Sequence, residues 1–113
     1  MKIIYSKNYE KGLKELQKKH KTNELSNLKS IIDAIKNSDN YNDLKLTPAA
    51  AIFKFEELKN DKVGFASFNL CKNGGKIRLI VRPRENMIII EVVFISTDHY
   101  KDFDPKGVRF NDE

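Results

Sequence analysis

Between residues 74 and 103 the chain reads GGKIRLIVRPRENMIIIEVVFISTDHYKDF, and its polar members are the ones able to do chemistry: Lys76, Arg78, Arg82 and Arg84, then Asp98-His99-Tyr100. Guanidinium and ammonium groups stabilise negative charge developing on a phosphate, while an imidazole and a phenol can hold or move protons. Together they suit reactions of a phosphodiester. The stretch 72–84 has five basic residues and no acid, which would equally serve as the solvated face of a sheet. Function therefore depends on whether these groups are brought to one place.

Alternation across a pleated strand sets the first constraint. In 76–82, Ile77, Leu79 and Val81 point one way, and Lys76, Arg78, Ile80 and Arg82 the other. In 88–95, Ile88, Ile90, Val92 and Phe94 form an apolar face, so Ile89, Glu91, Val93 and Ile95 are expected on the basic side, with Thr97 and His99 joining them if the strand stays extended. VGFASFNLC, from Val63, reads as the strand before these. KNGG contains Asn73-Gly74, the favoured type I′ hairpin pair, and PREN forms the next turn. The result is a three-strand antiparallel meander.

The segment ahead of the meander is helical in period. KIIY at residues 2–5 is a short β-prone run, and Ser6 or Asn8 can cap a helix starting there. Tyr9, Leu13, Leu16 and His20 share one helical face; after a break near Thr22-Asn23, Leu25, Leu28, Ile31, Ile32 and Ile35 share another, up to the polar NSDNYND. LTPAAAIFKFEELKND reads as a short helix or irregular link. These elements predict an α+β fold, with an N-terminal strand and two helices packed on one face of a small antiparallel sheet.

The 113 residues suit a single domain, with 101–113 as a C-terminal tail, and the net charge of +5 favours polyanionic partners. One cysteine, Cys71, excludes an internal disulfide or a cysteine metal site and points to a reducing cytoplasm. No apolar run approaches the ~20 residues of a membrane span. His20 reads as a packed or boundary residue, and two histidines far apart do not suggest a metal site. A plain RNA-binding sheet is disfavoured, because base stacking would need aromatics at the strand centres.

From about Glu56 to Tyr100 the chain resembles the RelE/ParE superfamily of small type II toxins, most closely its YoeB- and HigB-like ribonucleases. The resemblance rests on EELKNDKVGFASF, then GGKIRLIVR, then an apolar last strand ending in DHY. It implies a toxin acting as a ribosome-dependent mRNA endonuclease, in which the 2′-hydroxyl attacks the adjacent phosphate. It places Arg78 as phosphate clamp, His99 as acid, Tyr100 as stacking or orienting group and Glu56 as base, with Glu57 or Asp98 as alternative bases. Lys76, Arg82 and Arg84 would hold RNA backbone. The implied partners are an antitoxin, the ribosome and mRNA, with no metal or organic cofactor. The ParE branch implies the alternative, a non-enzymatic inhibitor of DNA gyrase. YoeB-like chains end near the His-Tyr pair, whereas here thirteen residues come after Tyr100.

Overall fold

The computed structural model describes residues 1–84 and 86–110; Glu85, in the expected PREN turn, and 111–113, the end of the expected tail, lie outside them. Strand β1 (Lys2–Tyr5) passes through Ser6 into helix α1 (Lys7–Lys18). The Ser6 hydroxyl accepts the Tyr9 N–H at 2.9 Å and donates to the Val93 carbonyl at 2.5 Å. One buried side chain thus caps the helix and ties its start to the sheet. Tyr9 and Leu16 are buried as their spacing predicts. His20 is not on that face: α1 has already ended, and His20 sits exposed in a left-handed turn at φ 53°.

Helix α2 (Thr22–Asn37) buries Leu28, Ile31, Ile32 and Ile35. The polar stretch expected only to end it also starts α3 (Tyr41–Lys45), because the Asn40 side chain accepts the Asp43 N–H at 2.9 Å. Thr47 likewise caps α4 (Pro48–Ile52), and the chain then enters the two-residue strand β2 (Glu56–Glu57).

Strands β3 (Ala66–Asn69), β4 (Arg78–Arg84) and β5 (Ile89–Ser96) form the expected antiparallel meander within a five-stranded sheet of order β1-β5-β4-β3-β2. The sheet is mixed, since β1 lies parallel to β5. The β3–β4 link is not a two-residue hairpin. Pairing stops at Asn69 and Arg78, and the left-handed residues between them are Lys72, Gly74 and Gly75. Asn69 organises that loop: its side-chain Oδ1 accepts the Cys71 N–H at 2.8 Å, and its side-chain Nδ2 donates to the Gly74 carbonyl at 2.9 Å.

The expected alternation of the last strand holds only for its first half. Ile90 and Val92 join the core under the helices, while Glu91 and Val93 face the other side. At Ile80/Val81 the register shifts, with Phe94 and Val92 as partners, leaving Val93 as the extra residue of a β-bulge. A bulge re-aims everything beyond it. Ile95 therefore turns to the helices, where a Cβ on Gly12 of α1 would come within 3.0 Å of it, and Phe94 turns to the second face. Ile88, expected in the core, precedes the strand and is 53% exposed.

The second face is covered too. Phe103 and Phe110, from the residues after Tyr100, close a second core with Leu58, Phe65, Ile80 and Val93. Phe103 lies 5.0 Å from Phe65 and 5.4 Å from Phe94, ring centre to ring centre. The segment ends against the β1–α1 junction: the Lys7 N–H donates to the Arg109 carbonyl at 2.7 Å, and the Arg109 N–H to the Asn8 side chain at 2.8 Å. This strap supplies the apolar cover that a one-sided helical layer leaves missing.

Candidate active site

Arg78, Ile80 and Arg82 alternate onto the second face as the sequence predicts, but Ile80 lies beneath the strap, so the basic row is divided. At one end Arg82 Nε meets Glu91 Oε1 at 2.5 Å and Arg84 Nη1 meets Glu91 Oε2 at 3.1 Å. The Glu91 side chain is only 4% exposed, against 36% and 45% for the two arginines. A carboxylate buried that deeply needs cationic partners, so both expected RNA contacts are engaged within the fold. Arg82 also lies over the Phe65 ring at 4.9 Å.

At the other end Arg78 has a different setting. Its Nη1 donates to the Asn69 side-chain oxygen at 3.1 Å and the Gly75 carbonyl at 3.2 Å, which fixes the side chain without neutralising it. Among the described residues it forms no ion pair. Asn69 is not singled out by the sequence, where the only signal is that it and Ser67 are the two polar residues of β3.

Tyr100 reaches across the sheet from the β5 end, and its hydroxyl donates to Glu56 on the edge strand β2. Burial raises the phenol above its ordinary pKa; the Glu56 hydrogen bond and charge add to this, and the neighbouring Arg78 opposes it. The phenol thus stays protonated as a donor. The His99 ring packs against that of Tyr100 at 4.5 Å, and His99 is exposed. Glu56, Arg78, His99 and Tyr100, from three separate stretches of chain, are brought together.

The other candidate acids are turned elsewhere. Glu57 alternates away from Glu56 and pairs with Lys45 at 3.0 Å. Asp98 pairs loosely with Lys76 at 3.8 Å, while the Lys76 carbonyl accepts the His99 N–H at 2.9 Å. A depression of about 400 Å³ opens beside Glu56 and Tyr100, with Lys59 and Lys62 on its wall. Larger grooves of about 510 and 640 Å³ run along α1, away from these groups.

His99 and Tyr100 are both left-handed, at φ 52° and 58°, a conformation that costs a non-glycine residue about 1 kcal/mol or more. Asp102 is held nearby: it accepts from Ser96 Oγ at 2.5 Å and from the Thr97 N–H at 3.1 Å. Burial works to raise the Asp102 pKa, but these hydrogen bonds outweigh it and the carboxyl lies below its ordinary value. Its contribution to stability is therefore present above the unfolded carboxylate pKa of ~3.9 and is lost as pH falls through the lowered folded value.

No family model and no curated protein matches the chain. Solved structures do. The crystal structure of YafQ from E. coli strain BL21(DE3) superposes with a TM-score of 0.63 at 22% identity, covering 84% of this chain and 90% of that one. The YoeB/ParE toxin from Agrobacterium tumefaciens gives 0.63 at 20% identity, covering 86% and 98%. The E. coli DinJ-YafQ complex gives 0.62 at 21% identity, covering 84% and 90%. The chain shares the α+β fold of these solved structures, as its sequence leads one to expect.

Proposed function

We propose that this protein is the toxin of a type II toxin–antitoxin pair, a cytoplasmic, metal-independent endoribonuclease that cuts mRNA on the ribosome. One observation carries the reading: Tyr100 meets Glu56 across 44 positions of sequence, beside Arg78, which forms no ion pair among the described residues, and with the His99 ring packed at a tilt against that of Tyr100. These are the residue types that cleavage by a 2′-hydroxyl requires. Glu56, oriented by the Tyr100 phenol, takes the hydroxyl proton. Arg78 compensates the charge of the phosphorane. His99, an exposed residue, returns a proton to the departing 5′-oxygen. Lys76 and the outward N–H groups of Arg82 and Arg84 hold neighbouring phosphates, with the arginines contributing less because Glu91 offsets their charge.

The test is primer extension on transcripts from cells arrested by induced expression. Cuts within translated frames, dependent on ribosomes in a purified system, are expected. Intact transcripts with cleaved DNA and altered supercoiling would instead identify a gyrase inhibitor of the same fold.

The partner is a small antitoxin encoded beside this gene, as the complex of the similarly folded YafQ with DinJ suggests. An acidic segment laid against Arg78 and Lys76 would silence the site. Coexpression with the neighbouring small reading frame is expected to give a complex that copurifies, rescues growth and dissociates at high salt. A toxic chain left unbound and unrescued by either neighbour would overturn the pairing.

A further inference from the structure

The residues that resemble a toxin family end at Tyr100, and nothing in that resemblance assigns a task to those beyond it. The geometry points to one: Asp102, through Ser96, is a positioning residue that sets the His99-Tyr100 turn and so holds the phenol on Glu56. This rests on the proposed ribonuclease reading for its effect on activity, but its structural content stands apart from it.

Ser96 is the last residue of β5 and is fully buried. Its hydroxyl has a single proton, and the fold uses it to reach Asp102 Oδ1 at 2.5 Å. The oxygen's lone pairs then face back into the turn, accepting the Tyr100 N–H at 2.8 Å and the Asp98 N–H at 3.3 Å. Asp102 Oδ2 meanwhile takes the Thr97 N–H at 3.1 Å. Asp102 therefore orients the hydroxyl that captures the backbone of Tyr100. Without an acceptor at 102 the Ser96 hydroxyl loses the bond that orients it, and the N–H bonds of His99 to the Lys76 carbonyl and of Phe103 to the Tyr100 carbonyl are left to offset the cost of two successive left-handed residues.

The chain then runs directly into the strap. The Phe103 N–H donates to the Tyr100 carbonyl at 3.1 Å, and the Phe103 ring is buried in the second core. Tyr100 is gripped on its N–H side by Ser96 and on its carbonyl side by the residue that anchors the strap. Glu56, by contrast, lies on a two-residue edge strand, so the precision of the Glu56–Tyr100 contact has to come from the Tyr100 side.

The experiment tracks the Tyr100 ring by NMR, with ¹³C at tyrosine Cζ assigned by Tyr100→Phe, alongside ribosome-dependent cleavage of a defined mRNA. In Asp102→Ala the Tyr100 signal is expected to move to the position it takes in Glu56→Ala, where the phenol has lost its acceptor. kcat is expected to fall about 10- to 100-fold with KM little changed, as for a misplaced catalytic group. Asp102→Asn, which keeps one acceptor, should fall between. Should Asp102→Ala fail to fold, Ser96→Ala, which removes the same hydroxyl without adding bulk, carries the test with the same expected shift. An unmoved Tyr100 signal and unchanged kcat in a folded variant would overturn the positioning role. A shifted signal in a protein whose wild type cuts no RNA would uphold the positioning role and overturn the ribonuclease reading alone.

Discussion

Purified Arg78→Ala is expected to cleave ribosome-bound mRNA about 10²- to 10³-fold more slowly than the wild-type chain, the usual cost of removing a group that meets charge formed only in the transition state. Arg78 is the member of the basic row whose charge no described carboxylate offsets, since Arg82 and Arg84 share Glu91. It is also held by neutral acceptors, Asn69 and the Gly75 carbonyl, so it is oriented before substrate arrives. Two controls separate chemistry from structure. Arg78→Lys keeps the charge but loses the planar fork and should recover only part of the rate. Arg82→Ala, at the other end of the row, should change the rate far less. His99→Ala is expected to match or exceed the loss at Arg78, about 10²- to 10⁴-fold, because on the proposed mechanism a general acid is removed outright. Folded Arg78→Ala and His99→Ala proteins with wild-type cleavage rates would remove the catalytic assignment.

Phe103→Ala is expected to lower the unfolding free energy by about 3–5 kcal/mol, the range for truncating a buried phenylalanine. Against the roughly 5–15 kcal/mol that holds a typical domain together, this is a large share. The size comes from position: Phe103 fills the space between Phe65 and Phe94 and shields Ile80 and Val93, two fully buried residues of the central strands. Urea denaturation monitored by far-UV circular dichroism measures it. A midpoint within error of wild type would mean that the strap does not cover the second face in solution. Lys101→Ala, an exposed neighbour, is the control and should stay within about 0.5 kcal/mol.

How much of this could be read from the chain depends on which interaction fixes each residue. The meander, the two helices and the sidedness of Arg78 and Arg82 come from apolar periodicity, which local sequence displays. The turn of Ile95 toward the helices does not, because a bulge is set by the pairing of Ile80 and Val81 with the opposite strand and by how closely Gly12 lets α1 approach. Glu57 and Glu56 are equivalent as letters; only the pleat of β2, with Lys45 on one side and Tyr100 on the other, tells them apart. The pairing of Arg82 with Glu91 was within reach, since the two stood on the same predicted face, whereas Arg84 was expected in the PREN turn and joins them because β4 runs on to it. The strap was not. Phe103, Val108 and Phe110 have no helical or strand period, and their partners lie in the middle of the sheet.

The neighbour relations of the sheet also govern when the protein can come into being during synthesis. β1 is made well before β5, with which it pairs, and the β1–α1 junction waits for Arg109 and Phe110 to bind it. Contacts that span nearly the whole chain form late, since the loop they close is the longest available. A nascent chain stopped before Ile89 has no partner for Lys2–Tyr5, and one stopped before His99 has Glu56 and Arg78 but neither the imidazole nor the phenol between them. The candidate site is thus completed only once His99 and Tyr100 are made, and a copy that stops short of them carries Arg78 without the imidazole and the phenol.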